Sequence, residues 1–107
     1  MTLNELGKAA HDNAKAHGFY DPVPSIPERL CLIHSEISEA LEAYRDGEIL
    51  MYFDSSGKPE GLVAELADAL IRIVDLAACL NVDLDEVVEK KMKYNESRPF
   101  KHGRKVL

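Results

Sequence analysis

"ELADALIRIVDLAACL", Glu65–Leu80, is the stretch that decides the fold. Every residue but four is Ala, Val, Ile, Leu or Cys, so apolar side chains fall on nearly every face of a helix drawn through it. A helix apolar all round belongs in an interior. Yet Glu65, Asp68, Arg72 and Asp75 are set into it. At about 100° per residue they fall at about 0°, −60°, −20° and −80°, one stripe down one face. Carboxylates in an apolar setting are costly unless something pairs with them. The reading of the chain turns on what these acids face.

The helix directly upstream offers a counterpart. "LCLIHSEISEALEAYR", Leu30–Arg45, carries Glu36 and Glu39 at the spacing of Glu65 and Asp68. A separation of three puts both carboxylates on one face, a turn apart. Packed face to face, the two helices bring four carboxylates together, and four anions in a partly dry site repel one another. A hard divalent cation removes that penalty. Mg²⁺ takes oxygen ligands, keeps part of its water and is commonly shared between protein carboxylates and substrate phosphates. Glu36, Glu39, Glu65 and Asp68 are therefore candidate metal ligands. The competing reading places them in ion pairs with Arg72, Lys91 and Arg98.

The rest of the chain is organised around these two helices. Capping patterns open three segments: TLNE at Thr2, SIPE at Ser25 and DLDE at Asp83. The first helix runs to about His17 before Gly18, and the proline-rich FYDPVPSIP is an extended connector. In the second helix Ile26, Leu30, Ile33, Ile37, Leu41 and Tyr44 recur at helical spacing, and it ends near Asp46–Gly47. FDSSGKPEG reads as a polar loop, and the MYF before it as helix or irregular chain. The third helix is expected from Pro59 or Glu60 to Leu80, with Asn81 at its cap. The fourth runs from Asp83 to about Ser97, before Pro99. No alternating strand pattern competes, so the expected fold is an all-α four-helix bundle, with a helical domain over residues 1–97 and a basic tail over 98–107.

One domain is all that 107 residues allow, with a modest core. The over-apolar third helix implies that a second subunit completes it. The net charge of −6 disfavours a nucleic-acid polymer as partner. Residues 1–87 hold 6 basic and 17 acidic side chains, net −11; residues 88–107 hold 7 and 2, net +5. Cys31 and Cys79 lack CxxC spacing and read as small core residues of a reducing compartment. The acid-bearing N-terminal segment is unlike a signal peptide, and no apolar run reaches membrane-spanning length. A cytoplasmic protein with no membrane partner is the expectation. Lys91, Asn95 and Arg98 share one face of the fourth helix and its end, where cations can meet phosphate oxygens.

E36-I-S-E39, then 25 residues, then E65-L-A-D68, followed by K91-x-x-x-N95-x-x-R98-P, resembles the ExxE…ExxD signature and basic segment of the MazG-like all-α nucleoside triphosphate pyrophosphatases. That superfamily includes dimeric dUTPases and phosphoribosyl-ATP pyrophosphohydrolases. The resemblance spans roughly Ile26 to Lys105. Ser35 stands where many members have a second Glu. The resemblance implies Mg²⁺-dependent hydrolysis of a nucleoside triphosphate to monophosphate and pyrophosphate, with Mn²⁺ as a substitute metal. It implies a house-cleaning role on non-standard or excess nucleotides, and a homodimer or homotetramer. It also implies metal binding by Glu36, Glu39, Glu65 and Asp68, and substrate contacts by Lys91, Asn95 and Arg98. Glu39 is the candidate general base toward the attacking water. The alternatives are a phosphoribosyl-ATP-type enzyme and a non-enzymatic helical oligomer. A ferritin-like di-metal site is disfavoured because the chain has no Glu-x-x-His.

Overall fold

The computed structural model describes residues 1–101. Four helices follow in order: α1 Leu3–Ala16, α2 Ile26–Arg45, α3 Leu62–Cys79 and α4 Leu84–Ser97. Each expected N-cap is in place, whereas the C-cap of α3 is Leu80, with Asn81 one residue beyond it at φ 57°. Thr2 opens α1 with a complete capping box, while the Ser25 and Asp83 side chains accept from the amides of Glu28 and Glu86. Gly18 and Gly47, just past the ends of α1 and α2, sit at φ 82° and 76°, where L side chains are disfavoured.

Between α2 and α3 the expectation fails. Tyr52–Phe53 (β1) and Pro59–Glu60 (β2) form a two-stranded antiparallel hairpin, with Tyr52 opposite Glu60. The turn is organised by Asp54, whose Oδ1 accepts from the Ser56 amide, the Ser56 hydroxyl and the Lys58 amide. Pro59 and Glu60 are therefore strand, and α3 starts two or three residues later than expected. Gly61 makes the joint at φ 107°; a Cβ there would collide with the Leu50 carbonyl. The first amides of α3 find backbone acceptors: Leu62 donates to Glu48 at 2.8 Å and Val63 to Ile49 at 3.2 Å. The hairpin is thereby fastened to the start of α3.

α3 is the central element, packed against α1 on one side and α2 on the other. The interior is built from small residues. Ala40, Ala64, Ala69, Val74 and Ala77 are its buried apolar side chains, and Val74 is the largest that is fully buried. Gly7 lets α1 come this close: a Cβ there would lie 2.7 Å from the Val74 carbonyl oxygen. α4 stands apart. It has no buried residue and meets chiefly α1. The contact joins two helix N-termini. Asp85 accepts from the amides of Leu3 and Asn4, both at 3.0 Å; Asn4 in turn accepts from the Leu84 amide and donates to Asp83. Each helix supplies acceptors for the other's free N–H groups, and Asp85 faces two positive dipole ends.

The expected burial of α3 is met on one side only. Val63, Leu66, Leu70 and Ile73 remain exposed, as do Ile26, Leu30, Ile37 and Leu41 on α2. No helix among the described residues is long and apolar enough to cross a membrane. Of the tail expected from residue 98, residues 102–107 lie outside the described residues.

Candidate metal centre

The acid stripe of α3 faces the acid stripe of α2. Glu36, Glu65 and Asp68 each offer a carboxylate oxygen, and these oxygens lie within 4.8 Å of one another. Glu36 is deeply placed, at 7% exposure, on the α2 face that also buries Arg29 and Ala40. Its Oε1 accepts from Arg72 Nε at 2.9 Å. Arg72 thus pairs across the helix interface, with the acid of α2 rather than with Asp75 of its own helix.

The electrostatics register the crowding. Burial and hydrogen bonding to Glu36, then repulsion from Glu39, Asp68 and Glu36, push the Glu65 carboxyl up to about 7. Partial burial and the Glu36 charge raise Asp68. Glu39 is raised by its hydrogen bond with Glu36 and by that neighbour's charge. Glu36 moves the other way. Burial pushes it up, but the Arg72 hydrogen bond, together with those of Glu39 and Glu65, more than offsets this and leaves it below the usual range. Three carboxyls are therefore reluctant to ionise, which is the condition a hard cation relieves. The donor set, carboxylate oxygens with one face open, fits a divalent ion such as Mg²⁺.

Two grooves flank the triad. One, of about 460 Å³, runs toward the hairpin, and eight of its eleven lining residues are acids, with Lys58 the single base. Glu39 lines it, beside the triad but outside the set of converging oxygens. Lys58 pairs with Glu60 at 3.2 Å. The other, of about 430 Å³, runs toward the α1–α2 connector and is lined by Phe19, Tyr20, Arg29 and Arg72, together with Glu36 and Asp68.

Lys91, Asn95 and Arg98 lie elsewhere. They are on α4 and its C-cap, Lys91 and Arg98 both beside the Tyr94 ring, and they line neither groove. Asp75 belongs to a different cluster. Its Oδ1 accepts from the Tyr20 hydroxyl at 2.7 Å and contacts His11 Nδ1 at 2.9 Å. This pins α1 and the connector to α3. His34 is exposed, and the Ser35 hydroxyl donates to the Leu32 carbonyl. The contributions of the hairpin (Lys58 and Glu60), the connector (Tyr20) and the start of α2 (Arg29) left no spacing signal in the sequence. Compared with known proteins, the chain matches no protein-family model, no curated protein and no solved structure.

Proposed function

We propose that this protein is a Mg²⁺-dependent nucleoside triphosphate pyrophosphohydrolase of MazG-like architecture, working as a homo-oligomer. The observation that carries the reading is the convergence of Glu36, Glu65 and Asp68 from two helices onto one point. Glu36, held by Arg72, is oriented before any ligand arrives. Glu65 and Asp68, raised by burial and then by the neighbouring carboxylates, lose protons when a cation takes their oxygens. A divalent ion at these oxygens supplies neutralisation of the triphosphate and a lowered pKa for water.

The chain's remaining duty is to place water and accept its proton. Glu39 is next to the triad, exposed and raised, so it takes the proton of the water that attacks the α-phosphorus. The bond from that phosphorus to the bridging oxygen breaks and pyrophosphate leaves. Lys91, Asn95 and Arg98 are assigned to the phosphates in this reading. Their place on α4, away from the triad of their own chain, suits a site completed between copies. The exposed apolar residues of α2 and α3 support assembly of that kind.

The test is pyrophosphate release across a panel of standard and modified nucleoside triphosphates, with Mg²⁺ and with EDTA. Metal-dependent release with matching monophosphate is expected. The Arg72–Glu36 pair favours a second reading, a helical oligomer whose acids are satisfied by ion pairs. That reading leaves Glu65 and Asp68 without a cationic partner within 4.0 Å among the described residues. It predicts no release from any nucleotide and no change in melting temperature on adding Mg²⁺.

A further inference from the structure

The groove toward the connector holds a group that the metal reading does not use. Arg29 of α2 is buried, at 8% exposure, and its guanidinium lies 4.4 Å from the centroid of the Tyr20 ring. Its Nη2 has no hydrogen-bond partner among the described residues. No carboxylate there lies within ion-pairing distance of it either. An unpaired buried guanidinium is expensive, and native structures rarely leave one without an acceptor.

Two of the four acids that line the groove are already engaged, and the other two, Glu28 and Asp68, lie beyond ion-pairing distance of Arg29. Asp75 is taken by His11 and Tyr20, and Glu36 by Arg72. The groove that Arg29 lines is continuous with the metal triad, because Glu36 and Asp68 line it too. Phe19, 71% exposed, stands at the same groove. Four acids and two arginines line it, net −2, which disfavours an anionic group away from a metal. What fits is a planar, neutral group that stacks on an aromatic ring and carries an acceptor.

Building on the pyrophosphohydrolase reading, we infer that this groove is the base subsite, with the Arg29 guanidinium donating to a carbonyl oxygen of the nucleobase. Arg29 is then the specificity-determining residue. The substrates are nucleotides of carbonyl-bearing bases, namely guanine, cytosine, uracil, thymine and their modified forms. Adenine is disfavoured because it carries no carbonyl oxygen, only ring nitrogens and an amino donor, whereas each of the others carries at least one carbonyl. Phe19 stacks on any base and contributes affinity without choice.

The test is an NMR titration of the Phe19 and Tyr20 ring resonances with GMP, CMP and AMP in the presence of Mg²⁺. GMP and CMP are expected to bind at least about ten-fold more tightly than AMP. Arg29→Met is expected to bring all three near the AMP value, and Phe19→Ala to weaken all three alike. Should Arg29→Met not fold, Arg29→Lys, which keeps charge and stem but not the fork, is expected to narrow the same ratio. AMP binding as tightly as GMP overturns the inference. So does an equal loss for all three nucleotides in the Arg29 variant, or the absence of ring shifts with any nucleotide. None of these readouts needs turnover. Pyrophosphate release without base discrimination therefore removes the subsite alone, and discrimination without release removes the hydrolase reading alone.

Discussion

At the scale of single residues, Glu36 is pulled in opposite directions. Burial opposes its charge, and the hydrogen bonds of Arg72, Glu39 and Glu65 favour it. Glu36→Gln and Asp68→Asn keep shape and remove ligand charge. Both are expected to abolish metal-dependent turnover while far-ultraviolet circular dichroism stays at the wild-type level; full activity in both would remove the metal assignment. The pH dependence follows from the same carboxyls. Glu65, Glu39 and Asp68 have folded pKa values above their unfolded ones, so the folded state binds more protons than the unfolded chain. With Glu65 near 7, metal-free stability falls as pH rises from the ordinary carboxyl value of 4.5 to about 7, then levels. Glu36, depressed, acts with the opposite sign and only in more acid solution, where its stabilisation is lost as pH falls. Melting curves between pH 5 and pH 8, with EDTA and with Mg²⁺, check this: the decline is expected without metal and a flat profile with it.

At the scale of elements, capping was legible and pairing was not. Thr2, Ser25 and Asp83 announce helix starts because a cap involves residues three apart. The hairpin did not announce itself. Strands of two residues are too short to show alternation, and they are held by an Asp54 turn and a left-handed Gly61 whose need comes from a distant carbonyl. The partner of Asp75 lies 64 residues away, on a helix whose approach depends on Gly7. Two substitutions test these joints. Gly7→Ala adds a methyl against the Val74 backbone and is expected to cost about 1–3 kcal/mol in urea unfolding, although alanine is the better helix former. Asp75→Ala strands the Tyr20 hydroxyl and His11 and is expected to cost about 1–3 kcal/mol, with the largest chemical-shift changes in α1 and the connector.

At the scale of the whole molecule, the apolar character of Glu65–Leu80 foretold a helix that one chain does not fully cover. The acid face was readable from spacing, since both carboxylate pairs repeat at three residues on successive helices. The place of Lys91, Asn95 and Arg98 was not, because spacing gives their common face but not what that face meets. Leu41 and Leu70 are 51% and 43% exposed on α2 and α3. Leu41→Glu and Leu70→Glu are each expected to lower the sedimentation coefficient toward that of a single chain; a wild-type protein already sedimenting as one chain would end the oligomer reading. The polar joint between α1 and α4 has a further consequence, in time rather than in space. Bound by caps alone and burying nothing, α4 is a cooperative unit that opens without the rest. Its amides exchange with deuterium through that local opening, well before those of α3, whose protons wait for the entire chain to unfold.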